Sequence, residues 1–168
     1  MKFAFIFLLT VIFTTIASAQ ELQWNSFNDG MESAMRSLNS KGKKKVMMDV
    51  YTDWCGWCKK MDKDVYSQAD IKAYLANNFI LIKLNAESNN EVTYKDNQGL
   101  TESVLAADEL GIDGYPSTVF FTADGEVITM VPGYVPPDKF LLMLKYIAED
   151  HYIKEDWDTF LSSQEEGN

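Results

Sequence analysis

Cys55 and Cys58, in the stretch "YTDWCGWCKKM" (residues 51–61), are the two cysteines of the chain. Two cysteines at this spacing serve as a structural staple, as part of a metal site, or as a reactive dithiol. A staple gains most by closing a long loop, and a bridge across four residues contributes only about 2 kcal/mol in the chain-entropy treatment. Structural zinc takes four Cys or His ligands, whereas this chain adds only one histidine, His151, far along the sequence. A c-type haem needs a histidine directly after the second cysteine, and Lys59 stands there. No metal site is expected, and the reactive pair is the reading that remains strongest.

A reactive pair must be positioned. Val46 to Thr52 is a mostly apolar run that reads as a strand buried on both faces. The motif comes directly after it and is expected to open a helix running through Met61 to about Val65. A sulfur in the first turn lies beside unpaired N–H groups and the positive end of the helix dipole. Both favour thiolate over thiol. Cys55 is therefore expected to be the exposed nucleophile. Cys58, about one turn on, is the buried resolving thiol that attacks a mixed disulfide at Cys55. Gly56 is read as the residue that lets the chain turn tightly between them.

Further elements are read from periodicity and breakers. A helix is expected over Ser26 to Asn39, with Phe27, Met31, Met35 and Leu38 as its apolar stripe and Gly42 and a lysine cluster (Lys41 to Lys45) after it. A short helix restarts at Ser67 or Asp70, and "FILIKLN" (Phe79 to Asn85) reads as a second core strand. Residues 86–101 are polar without periodicity and read as a long surface loop. Glu102 to Leu110 is expected to be helical. Ser117 to Thr122 and Glu126 to Val131 read as strands joined through Ala123-Asp124-Gly125. A helix starts at Pro136, and a last one carries Trp157, Phe160 and Leu161. Strands alternate with helices before an antiparallel pair, which gives one α/β layered domain. The methionines Met47, Met48, Met61, Met130 and Met143 read as core filler.

"WCGWCK", with Trp54 before the first cysteine, resembles the active-site motif of the thioredoxin family. Asp49 matches that family's buried acid, "KLN" (Lys83 to Asn85) its third-strand motif, and "GIDGYPST" (Gly111 to Thr118) its cis-proline loop. Gly125 and Gly133 fall on its hairpin and bulge glycines. The resemblance covers about residues 24–150, with residues 151–168 a C-terminal helical extension. It is similar in particular to exported thioredoxin-like proteins and to the C-terminal domain of the membrane electron transporter DsbD. Trp57 stands where the family usually has proline, Tyr51 where thioredoxin has tryptophan, and the 86–103 connection is longer than in small thioredoxins.

The resemblance implies a thioredoxin fold: a central mixed four- or five-stranded sheet with helices on both faces. It implies a catalytic set of Cys55 and Cys58, with Asp49 moving a proton to or from Cys58 and Lys83 as its charge partner. A carboxylate among apolar neighbours is expected to have a raised pKa. Tyr115 and Pro116, joined by a cis bond, would pair with an extended substrate chain. Trp54, Gly56 and Trp57 would form the rim on which substrate docks. The implied activity is thiol–disulfide exchange on protein disulfides, most readily in the reducing direction, with a DsbD-like membrane protein as electron donor. An oxidant or isomerase, and a binding module or holdase on the same fold, are the alternatives. No nucleotide or flavin motif is present, so no cofactor is expected.

Location is read from the start of the chain. Met1-Lys2 precedes an apolar run from Phe3 to Ala17, and Ala17-Ser18-Ala19 has the small-x-small form of a signal-peptidase site. Residues 1–19 are thus expected to be a cleaved leader, and residues 20–168 a single periplasmic or secreted domain. Lys2 is the leader's one charge, so 14 bases and 25 acids would remain in the mature chain, a net charge of −11. Such an acidic surface argues against nucleic acid as a partner.

Overall fold

The computed structural model describes residues 21–39 and 43–166. The expected leader, Lys41 and Gly42 lie outside them. Val46, Met48 and Val50 point to one side of a strand and Met47 to the other, as the two-residue repeat of a strand dictates. That strand is β2 (Lys45–Tyr51), with the short β1 (Trp24–Asn25) ahead of it in the chain. β3 (Phe79–Asn85), β6 (Ser117–Phe121) and β7 (Val127–Pro132) complete a five-stranded sheet in the order β1-β3-β2-β6-β7. β1 and β2 run parallel to β3, while β6 is antiparallel to both β2 and β7. This is the α/β thioredoxin fold with a mixed five-stranded sheet.

One face of the sheet is covered by α1 (Phe27–Ser37) and the segment around Leu105. The other is covered by α2 (Gly56–Asp64), α3 (Ala69–Asn78) and α5 (Pro137–Ala148). The stripe of α1 differs from the expected one. Phe27, Gly30 and Ala34 are buried, whereas Met35 is 55% exposed. Phe27 and the partly buried Met31 of the expected stripe do face the core, and Gly30 lies so close to Ile82 of β3 that only a small residue fits there. Met130 likewise stands out on the edge strand β7, while Met47, Met48, Met61 and Met143 are buried.

The expected loop at 86–101 is mostly ordered structure. Glu91–Tyr94 (β4) and Asn97–Thr101 (β5) pair as a separate hairpin. Val92 and Tyr94 face inward, and the Tyr94 ring packs edge-on against Phe27 and Phe121 at 6.1 and 6.5 Å. Asn28 of α1 closes the hairpin's edge: its Nδ2 donates to the Glu91 carbonyl at 3.1 Å and its Oδ1 accepts the Thr93 N–H at 2.9 Å. The helix expected after it is a single α turn, Glu102–Val104 (α4), continuing as a π-helical turn over Leu105–Glu109.

After α5, within the expected helical extension, come a short helix, His151–Lys154 (α6), and α7 (Trp157–Glu166). Phe160 of α7 is buried, with its ring 5.2 Å from Tyr146 of α5 and 4.8 Å from His151. Two lysines of the cluster are engaged: Lys44 donates to the Ala76 carbonyl, and Lys45 pairs with Asp150 at 2.7 Å.

A methyl group on Gly30 would lie 2.3 Å from Cγ1 of the fully buried Ile82. Gly30→Ala is therefore expected to lower stability by about 1–3 kcal/mol, despite the roughly 1 kcal/mol that alanine gains in helix propensity. The urea midpoint of the variant measures it, and an unchanged or higher midpoint would contradict this packing.

Candidate active site

β2 ends at Tyr51, and the chain passes through Thr52, whose carbonyl accepts the Cys55 N–H at 3.1 Å. Cys55 is the N-cap of α2. Its backbone is extended (φ −67°, ψ 103°), and its Sγ accepts the backbone N–H of Cys58 at 3.0 Å. The two sulfurs are joined in a disulfide. A cap position normally taken by Ser, Thr, Asp or Asn is thus held by a sulfur, in line with the helix dipole and with a free N–H of the first turn directed at it.

Two sequence expectations change here. Cys55 is not exposed in this disulfide form: it is 3% accessible and Cys58 5%. Gly56 is also not required by the turn. Its φ lies outside the left-handed region, and an added Cβ would meet nothing within 4 Å.

Two aromatic pairs stand around the disulfide. Trp54 is 68% exposed and Trp57 59%. The Trp54 indole N–H donates to Glu87 Oε1 at 2.8 Å, and its ring meets Tyr115 edge-on at 6.2 Å. Trp57 has its ring 5.5 Å from Tyr134. Tyr115–Pro116 is a cis peptide bond, and the Pro116 carbonyl accepts the Gly133 N–H at 2.8 Å. That bond ties the proline loop to the segment carrying Tyr134. Glu87 as the acceptor that holds Trp54 was not foreseen, because an acid in a polar stretch carries no periodic signal.

Asp49 lies beneath α2, on the same sheet face as Met47 and Met61. It is 2% accessible. The Tyr66 hydroxyl donates to its Oδ1 at 3.2 Å, and Lys83 Nζ lies 3.6 Å from its Oδ2. Burial pushes the Asp49 carboxyl up to about 6; Lys83 pulls it back and Asp62 adds to the rise. Lys83 is nearer to Asp62 of α2, at 2.5 Å, and its ammonium also lies over the rings of Trp24 and Tyr51 at 5.2 and 5.4 Å. The expected Asp49–Lys83 pair therefore exists as one arm of a shared contact. Tyr66, which sequence reasoning missed, is buried with its ring 5.3 Å from Trp24 and 5.7 Å from Phe140, and burial raises its hydroxyl well above the usual phenol range.

Because the folded pKa of Asp49 is raised from 3.8 to about 6, the native state holds this proton more tightly than the unfolded chain. The associated stability is fully present below about pH 3.8 and is lost as pH rises through 6. Asp49→Asn, which keeps an acceptor for Tyr66, should gain up to about 3 kcal/mol over the parent at pH 8 and nothing at pH 3.5. Urea unfolding across that range reads the gap, and a gap independent of pH would contradict the raised pKa.

Residues 31–148 match the thioredoxin-like domain family. The chain is 28% identical over 138 residues to the thiol:disulfide interchange protein DsbD of Tatumella citrea, covering 80% of this chain and 22% of that protein. Among solved structures, a thioredoxin-fold protein from Helicobacter pylori superposes with a TM-score of 0.58 at 20% identity, covering 82% of this chain and 92% of that one. The oxidised C-terminal domain of Neisseria meningitidis DsbD superposes with a TM-score of 0.51 at 23% identity, covering 73% and 97%. The family match takes in the disulfide, the buried acid and the cis-proline loop together, and by it the chain belongs to the thioredoxin-like domain family.

Proposed function

We propose that this chain is an exported thiol–disulfide oxidoreductase that works in the reducing direction on protein disulfides. The observation that carries the reading is the Cys55 sulfur at the N-cap of α2, accepting the Cys58 N–H. That environment stabilises a thiolate once the disulfide is opened. The similarity to DsbD supports the same chemistry, and the apolar run at the start of the chain supports export.

In the reducing direction the Cys55 thiolate attacks one sulfur of a substrate disulfide, and the other substrate sulfur leaves as thiolate. Cys58 loses its proton, to Asp49 in its ionised form, and attacks the Cys55 sulfur. The second substrate thiol leaves, and the Cys55–Cys58 disulfide forms. Two electrons pass from the dithiol to the substrate. A carboxyl with a pKa near 6 exchanges a proton readily at neutral pH. The backbone of Tyr115 pairs with the extended substrate, and Trp54 and Trp57 give it an apolar rim. The resulting disulfide is reopened by another dithiol, for which a DsbD-like membrane protein is the donor of choice.

Dithiols of this spacing span about 150 mV, roughly 7 kcal/mol for two electrons, so the potential decides the direction. Titration of residues 20–168 against a glutathione series, read by tryptophan fluorescence, should give a value near about −270 mV. A value nearer about −120 mV would make the protein an oxidant. The exposure of Trp54 and Trp57 also suits a binding module with redox chemistry secondary. Cys55→Ser separates the two: it should abolish exchange while leaving the fold intact, and retained function would favour the binder. Cys58→Ser should instead trap the mixed disulfide. Asp49→Asn should slow its resolution about a hundredfold, with the loss largest near neutral pH, as stopped-flow mixing would show.

A further inference from the structure

A groove of about 390 Å³ opens between the edge strand β7, the segment after it and helices α5 and α7. Its size is that of a ligand cleft, which spans roughly 300–1,000 Å³. Val131, Val135, Pro136, Met143 and Ile147 make its wall apolar, and Trp157 of α7 closes the far side. Trp157 is held in place by the Tyr146 ring at 5.2 Å and the Phe160 ring at 5.7 Å. The near end is Tyr134, the same residue whose ring lies 5.5 Å from Trp57 between the two cysteines. The groove therefore continues the aromatic face of the disulfide.

Its charge is opposite to that of the molecule. The chain carries a formal net charge of −10, yet the charged residue lining the groove is Lys139, exposed on α5. Lys60, paired with Asp64, stands at the disulfide end, with its ammonium 5.4 Å from the Tyr134 ring centre. β7 has β6 on one side and is the last strand of the sheet, so among the described residues no strand pairs with its other edge, the kind of edge to which an extended chain can add.

We propose that this groove takes an extended, apolar segment bearing a carboxylate from the polypeptide whose disulfide is exchanged at Cys55. The proposal deepens the reading of the chain as an oxidoreductase and rests on it. Apolar side chains of the segment enter between β7 and α5, and its carboxylate meets Lys139. The dithiol then meets a substrate already held by a second contact, which raises its local concentration without demanding a sequence at the cysteine itself.

The test uses the protein in its disulfide form and cysteine-free peptides, so that binding is read apart from redox chemistry. One hexapeptide alternates leucine and valine and ends in two aspartates, and its control ends in two asparagines. Backbone and indole NMR signals of Thr129, Val131 and Trp157 should shift on titration, with the aspartate peptide preferred by up to about fivefold, the scale of an exposed ion pair. Lys139→Glu, at an exposed position, should reverse that preference. Thr129→Trp, which fills the groove, should abolish the shifts. The proposal is overturned if those signals do not move, if Lys139→Glu leaves the preference unchanged, or if sedimentation shows a second copy of the chain occupying the groove. If peptides bind as expected while the protein exchanges no disulfide, the groove stands and the oxidoreductase reading falls.

Discussion

Strand β2 is hydrogen-bonded on both edges, to β3 and to β6, and covered on both faces. A strand so enclosed has no freedom to slip, because a shift of one residue would turn Val46, Met48 and Val50 to the wrong side. The chain just beyond its last residue is therefore placed as firmly as the core. The Thr52 carbonyl takes the Cys55 N–H, and Cys55 caps α2. The position of the sulfur at the helix end is a consequence of the sheet, reached through four residues of chain.

The same enclosure makes Asp49 expensive. An apolar residue at this place on β2 would sit among Met47 and Met61 with no charge to desolvate, whereas a carboxylate must give up its water. Tyr66 and Lys83 compensate only in part, since Lys83 sits closer to Asp62 than to Asp49. The result is an acid whose proton is held to about pH 6. This local conflict with the surrounding core is the observation on which the proposed proton-transfer role of Asp49 rests.

Much of this was legible in the residues. "VMMDVY" and "FILIKLN" are apolar enough to be interior strands, and the cysteine pair, with too few ligands for zinc, pointed to exchange chemistry. Ala123-Asp124-Gly125 marked its hairpin, where Gly125 has φ 91°. The features that stayed hidden depend on partners distant in sequence. β1 is two residues long and exists through its pairing with Leu81 and Ile82. The 91–101 hairpin shows inward alternation only at Val92 and Tyr94, masked by polar neighbours. Tyr66 and Asp62 acquire their roles from the distance at which α2 and the turn after it lie over β2. The burial of Cys55 likewise depends on the chain segments that pack around the helix end, which are distant in sequence.

Each of the two additions to the compact fold reaches an aromatic residue of the disulfide region. In the long connection after β3, Glu87 fixes the Trp54 ring against Tyr115. In the C-terminal extension, Trp157 closes the groove that begins at Tyr134 and Trp57. Neither Glu87 nor Trp157 lies on a strand of the five-stranded sheet. The enclosed β2 and the capped cysteine can therefore stay unchanged while these two segments vary, because the strands of the sheet pair without them. The setting of the Trp54 ring and the closure of the groove, by contrast, each depend on a side chain that the sheet does not need.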